Sequence, residues 1–245
     1  RIQNKTNRTM LTIVGNGTNR VMPTYGEDRF WGCNAFYRDA NPEILFTVDI
    51  PMQREVIEWG YAEANKVAVG NWEILPIDMI EPLKMGFGNT RIEESISPDS
   101  EYLVVQGDDE VTTFLGLSSP QMKNIIMYNN PELKNLFCGM SALGYAMLNG
   151  EKEITLTGFN ALEDDNWSNN YEGTQNYLHK YSSDSRVLNA QRSQFIALLE
   201  EFEDVKVYFK NPLTGTVKVE YNELYYYEDS ERWILGEGLE SDTMR

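Results

Sequence analysis

One side chain suits acid–base chemistry near neutral pH. The sole histidine, His179, lies in a polar stretch with interleaved aromatics, and an unperturbed imidazole titrates near 6.5. Asp184 follows in the same stretch and is placed to orient it; two solvated loop residues would read the same way. A second constellation is Gly15-Asn16-Gly17-Thr18. Glycines directly after an apolar run let backbone N–H groups approach a phosphate without Cβ obstruction, although an ordinary strand–turn–helix junction uses the same residues. The spacing is neither a dinucleotide fingerprint nor a P-loop. Asn34, Asp49, Gly158 and Asn160 also stand at or just beyond the ends of apolar runs. Trp167 and Tyr171, with Tyr177 and Tyr181, offer rings for stacking and hydroxyls for a phosphate, or simply loop packing. Asp108-Asp109-Glu110 reads as a divalent-cation site bridging a diphosphate, or as a solvated acidic turn.

The elements that must position these groups alternate. Met10–Val14 is an almost continuous apolar run of the kind buried on both faces of a parallel sheet. Short strands follow at Phe30–Cys33 and Ile44–Val48, and Pro51 suits the first turn of a helix reaching about Glu63. Lys66–Val69 is a weaker strand and Tyr102–Gln106 a clear one. Gly139–Leu148 is a helix of small residues, stopped by Asn149-Gly150, and Ile154–Gly158 is the next buried strand. Leu188, Phe195, Leu198, Leu199 and Phe202 recur at helical spacing, so 187–202 is an amphipathic helix. The strand Val205–Phe209 follows it. Such alternation predicts an α/β, Rossmann-like domain with a mostly parallel sheet flanked by helices. Ligands of open α/β sheets bind outside the carboxyl ends of the strands, where the candidate groups fall. Residues 71–101 read as irregular or as an inserted excursion. The stretch 163–184 reads as a lid or binding loop. The division expected is an α/β domain over 1–215, carrying that lid, and a small C-terminal appendage over 216–245.

Composition narrows the partners. The chain has 245 residues with 41% hydrophobic residues, enough to bury a core, and 21 Lys and Arg against 38 Asp and Glu, a net charge of −17. A phosphate backbone needs cationic neutralisation, so nucleic acid is not an expected partner. No apolar run has the length of a membrane span. The cysteines, Cys33 and Cys138, sit in apolar settings typical of reduced thiols, which makes a cytoplasmic location the default. A single histidine excludes zinc motifs that need two.

In four places these residues resemble the bacterial lipooligosaccharide sialyltransferases, which use CMP-sialic acid on a Rossmann-like domain with a lid. The opening strand with Gly15-Asn16-Gly17 resembles that family's strand followed by Gly-Asn-Gly-Pro-Ser. Gly32-Cys33-Asn34-Ala35-Phe36-Tyr37 is similar to its Arg-Cys-Asn-Gln-Phe-Tyr. The stretch Cys138-Gly139, Ala142, Asn149-Gly150, Glu153-Ile154 and Leu156-Thr157-Gly158 follows its Ser-Gly, helix, Gly-Tyr-Lys-Glu-Ile and Leu-Ser-Gly order. His179 with Asp184 resembles its His-x4-Asp. The resemblance implies that Asn16, Gly17 and Asn34 hold a nucleotide, that Cys138 and Gly139 contact it, and that aromatics near Trp167 and Tyr171 face the leaving phosphate. His179 would be the general base. Cys138 stands where the family has serine, Phe137 where it has threonine, Asp49 where it has asparagine, Asn160 where it has aspartate, and Leu162 where it has a phosphate-binding tyrosine.

The function expected is transfer of a sugar from a nucleotide-activated donor to a hydroxyl-bearing acceptor of unknown identity, with no cofactor required. A second resemblance, at the first and third strands, is to the archaeal pterin diphosphokinases. It implies a magnesium-dependent diphosphotransferase with Asp49, Asp108 and Asp109 near the metal. The substitutions at Cys138, Asn160 and Leu162 also fit a catalytically inactive nucleotide-binding protein.

Overall fold

A computed structural model describes residues 9–24, 26, 29–70, 72–107, 110–130, 133, 136–163, 168–177, 185–212, 215–219, 224–227 and 232–235. In chain order its strands and helices are β1 (Leu11–Val14), β2 (Arg29–Cys33), β3 (Ile44–Thr47), α1 (Ile50–Glu58), β4 (Val67–Val69), β5 (Glu73–Pro76), α2 (Ile80–Gly86), β6 (Arg91–Ser95), β7 (Tyr102–Gly107) and β8 (Val111–Leu117). There follow α3 (Ser119–Asn124), β9 (Ile125–Met127), α4 (Cys138–Leu148), β10 (Glu153–Thr157), α5 (Asn160–Glu163), α6 (Ser185–Glu201), β11 (Lys206–Asn211), β12 (Gly215–Val219), β13 (Leu224–Tyr227) and β14 (Arg232–Leu235). The class is α/β and Rossmann-like, as expected. The chain divides into two compact units, one of residues 1–42 with 136–245 and one of residues 43–135. Among the described residues no helix is long and apolar enough to cross a membrane.

In the first unit the strand order is β12-β11-β10-β1-β2. β1 pairs in parallel with both β2 and β10, and β10 with β11, while β12 closes the edge antiparallel to β11. Leu11, Ile13 and Val14 are fully buried, which explains their near-continuous apolar run. α4 lies on β1 and β2. It buries eight of its eleven residues, so its small side chains serve a helix packed on nearly every side. Trp31 meets Tyr145 at 6.0 Å between ring centroids. α6 turns Leu188, Phe195, Leu198 and Leu199 inward, and Phe195 packs on Phe209 at 5.7 Å. From β1 the chain steps to β2 on one side and later returns through β10 on the other. β1 and β10 therefore flank a topological switch point, and ligands of open parallel sheets bind beyond the carboxyl ends at such a point.

In the second unit β3, β4 and β9 pair in parallel. A separate four-stranded sheet has the order β5-β7-β8-β6. β5 and β8 run antiparallel to β7, and β6 runs parallel to β8. Of the two readings of 71–101, the irregular one is corrected: β5, α2 and β6 are regular elements, and β5 and β6 belong to the separate sheet. β6 reads Arg-Ile-Glu-Glu-Ser and has no apolar alternation; its strand conformation comes from pairing Arg91–Ser95 with Val111–Leu115, a non-local contact that outweighs local pattern. α1 starts one residue before Pro51 and stops at Glu58, and a 3-10 turn at Tyr61–Glu63 completes the stretch expected as one helix.

Candidate functional site

The end of β1 is built against the end of β10. The Gly15 amide donates to the Thr157 carbonyl at 2.8 Å and the Gly17 amide to the Gly158 carbonyl at 2.9 Å. A Cβ at Gly17 would collide with Oδ1 of Asn160 and come within 2.7 Å of the Gly158 oxygen. Gly158 has φ +76, and a Cβ there would lie 2.8 Å from the Gly15 oxygen. These glycines thus allow two strand ends to touch, and the Gly15 and Gly17 amides are occupied by backbone oxygens. What the turn presents is the Asn16 side chain. Its Nδ2 donates to the Tyr177 hydroxyl at 2.9 Å, and its Oδ1 is buried with no hydrogen-bond partner among the described residues.

The end of β2 turns through Asn34, whose φ of 47 is left-handed, into a 3-10 turn over Asn34–Arg38. Asparagine tolerates that conformation better than other residues with a Cβ. The next amide, that of Ala35, donates to the same Tyr177 oxygen at 3.3 Å. The turns after β1 and β2 therefore meet at one atom.

That atom belongs to residues 168–177, which with Glu163 are the described residues of the expected lid and which lie against both turns. The Asn170 amide donates to the Asn16 carbonyl at 2.8 Å, and its Nδ2 donates to the Gly17 carbonyl at 2.7 Å. The Thr18 and Ser168 hydroxyls are hydrogen-bonded. Tyr171 is buried; its hydroxyl donates to Oδ2 of Asp39 at 2.6 Å and accepts from Arg20 at 2.9 Å. Arg20 also pairs with Asp39, and its guanidinium lies 5.4 Å from the Tyr171 ring centroid and 5.5 Å from that of Phe36. Arg38 donates to Oγ1 of Thr174 at 2.9 Å and to the Gln175 carbonyl at 3.1 Å. It also stands 5.9 Å from the rings of Tyr171 and Tyr177. Burial works against the Asp39 charge, but the Tyr171 hydrogen bond and the Arg20 pair outweigh it and hold the carboxyl below its ordinary range. Desolvation, then the bond to Asp39, push the Tyr171 phenol well above its ordinary range against the opposing pull of Arg20. Tyr171 therefore keeps its proton and donates at neutral pH.

The remaining residues singled out by sequence fall around this centre or outside it. Asn160 is buried at the start of α5, with Oδ1 3.5 Å from the Asn19 amide. Cys138 is the buried first residue of α4. A Cβ at Gly139 would strike the Phe159 ring, which also lies beside Gly15, so the start of α4 is joined to the β1 turn through that ring. The Phe137 amide donates to Oε1 of Gln194 at 2.9 Å, and the buried Arg192 donates through Nε to the Ala161 carbonyl at 2.7 Å. α6 thus braces the starts of α4 and α5. Asp49 belongs to the second unit; it is exposed, and its carbonyl accepts from the amides of Met52 and Gln53 at the start of α1. His179, Asp184, Trp167, Asp108 and Asp109 lie outside the described residues. Sequence reasoning passed over Arg20, Arg38, Asp39 and Asn170. The available signal was charge beside the two turns, which in an acidic chain marks where cations and their carboxylate partner gather.

No family model matches the chain, and no curated protein matches it in sequence. Among solved structures it is similar to the sialyltransferase CstII from Campylobacter jejuni in complex with a substrate analogue, CMP-3FNeuAc. The identity is 12% and the TM-score 0.43, over 84% of this chain and 82% of that one. The complex of CstII with cytidine-5'-monophosphate gives 11% identity and a TM-score of 0.40, over 84% and 81% of the two chains. A variant of the same sialyltransferase with CMP gives 13% and 0.37, over 82% and 81%. The pterin diphosphokinase kinship gains no support from these comparisons. Identity and superposition this low leave function to be argued from the site.

Proposed function

We propose that the chain is a glycosyltransferase of the sialyltransferase-like kind, which moves a sugar from a nucleotide-activated donor to an acceptor hydroxyl. The observation that carries this reading is the convergence, at the carboxyl ends of β10, β1 and β2, of Gly158–Asn160, Gly15–Thr18 and Asn34–Ala35. They gather at the switch point where open parallel sheets bind ligands. Arg20, Arg38 and the Tyr171 hydroxyl add cationic and hydroxyl groups beside an otherwise acidic molecule.

In the reaction, His179 takes the proton of the acceptor hydroxyl and Asp184 orients the imidazole. The acceptor oxygen forms its bond to the anomeric carbon while the bond from that carbon to the donor phosphate breaks, and the nucleotide leaves as an anion. Preorganised side-chain and amide donors stabilise the charge growing on the phosphate. Covering the donor excludes water and suppresses its hydrolysis. The donor is a nucleotide sugar; the acceptor is a hydroxyl compound.

A thermal-shift series with CMP, UDP, GDP and ADP, followed by a product assay on the matching sugar donors, tests the reading. We expect one nucleotide to stabilise the protein and its sugar conjugate to be consumed. His179→Ala should lower turnover by about 10²-fold or more, the usual scale of general-base catalysis, and leave nucleotide binding intact. Wild-type turnover by His179→Ala across the pH range would remove the histidine from the mechanism, and no stabilisation by any nucleotide would remove the donor site.

A further inference from the structure

Two N–H donors from turns distant in sequence meet on a single oxygen, Asn16 Nδ2 at 2.9 Å and the Ala35 amide at 3.3 Å from the Tyr177 hydroxyl. Converging donors of this kind hold phosphate and carboxylate oxygens, and a charged oxygen accepts roughly twice as strongly as a neutral one. A phenol oxygen is therefore the weaker occupant of that seat. A separate observation falls at the same turn: among the described residues, Oδ1 of Asn16 is buried with no hydrogen-bond partner, and buried polar groups of native proteins mostly have one. The segment that carries Tyr177 is held by contacts of its own. Asn170 bonds the Asn16 and Gly17 carbonyls, and Tyr171 is pinned by Arg20 and Asp39.

We infer that residues 168–177 are an autoinhibitory strap, with the Tyr177 hydroxyl standing in for an anionic ligand oxygen on the seat formed by Asn16 Nδ2 and the Ala35 N–H. A ligand bearing a phosphate displaces Tyr177 and takes both donors, and one of its hydroxyls supplies the donor that Asn16 Oδ1 lacks. The inference rests on the nucleotide-binding reading of these turns and adds a regulatory element to it. Because the binding-competent state is only a fraction of the population, the apparent dissociation constant is raised by the inverse of that fraction. Tyr177→Phe removes the competing oxygen and keeps the ring.

Amide hydrogen exchange by NMR and titration with CMP and with inorganic phosphate, on the wild type, Tyr177→Phe and Asn170→Ala, test it. In Tyr177→Phe the Ala35 amide should exchange about tenfold faster or more, CMP should bind about tenfold tighter, and either probe should restore protection at Ala35. Asn170→Ala loosens the strap without touching Tyr177 and should tighten CMP binding in the same direction, which decides the matter if Tyr177→Phe fails to melt cooperatively. Unchanged exchange at Ala35 in Tyr177→Phe, equal CMP affinity in all three proteins, or no protection of Ala35 by either probe would each overturn the inference. If CMP, UDP, GDP or ADP binds the wild type and both variants equally, the strap fails and the donor-site reading stands. If inorganic phosphate protects Ala35 in Tyr177→Phe while no nucleotide binds more tightly than phosphate, the strap stands and the nucleotide reading fails.

Discussion

At the scale of single residues, the glycines after β1 have a different task from the one their spacing suggests. Their amides bond the end of β10, and the space beside Gly17 is filled by Asn160 and Gly158. Gly17→Ala therefore overpacks a backbone contact, a change that typically costs about 1–3 kcal/mol. We expect a fall in Tm of several degrees, at about 2–4 °C per kcal/mol for a chain of this size. An unchanged melting curve with lost nucleotide binding would restore the phosphate role to the glycine. Asp39 gives a pH signature. Its carboxyl is held below the ordinary value by Tyr171 and Arg20 despite partial burial. A lowered carboxylate pKa contributes stability above the unfolded value, near 3.9, and loses it as pH falls through the folded value. The stability gap between the wild type and Asp39→Asn, followed by denaturant melts, should be constant near neutrality and shrink below about pH 4. A gap that grows on acidification would contradict the Arg20–Asp39–Tyr171 arrangement.

At the scale of elements, side chains that satisfy helix ends and strand ends decide the geometry. α3 is one such element. The Ser118 amide donates to Oε1 of Gln121 at 2.9 Å, and Nε2 of the same buried Gln121 donates to the Ile57 carbonyl near the end of α1 at 2.8 Å. Gln121→Leu keeps the volume but takes the side-chain acceptor from the Ser118 amide and leaves the Ile57 carbonyl with backbone amides such as that of Gly60; two lost bonds of this kind together cost about 1–3 kcal/mol. Urea unfolding should show a loss of that size, and an unchanged midpoint would mean that water replaces the glutamine. The same logic governs 168–177. Among the described residues this stretch has no strand or helix and owes its course to bonds with the β1 and β2 turns. A pattern of polar residues and aromatics announces such a segment, but the carbonyls it will seek come from elsewhere in the chain.

At the scale of the whole molecule, the acidic balance and the choice of donor groups bear on cofactor use. The groups assembled beside the β1 and β2 turns are amides, hydroxyls, the guanidinia of Arg20 and Arg38, and the Asp39 carboxylate that pairs with Arg20; on the proposed reading the donors among them would neutralise a leaving phosphate without a divalent cation. Sugar transfer should therefore continue in EDTA, and loss of turnover restored by magnesium would return the diphosphotransferase reading. The amino-acid sequence by itself determined the α/β class and the places of β1, β2, β3, β4, β7, α4, β10, α6 and β11. Strands buried on both faces must be apolar throughout, and a helix with one buried face repeats every three to four residues. It also located the Gly-Asn-Gly turn and the end of β2 at Asn34, because both interrupt such runs. Tertiary structure alone decided that β5 and β6 are strands, that Gly15 and Gly17 spend their amides on β10, and that Tyr177 reaches both Asn16 and Ala35. In each case the deciding partner lies tens of residues or more away, and only folding brings a non-local hydrogen bond within reach.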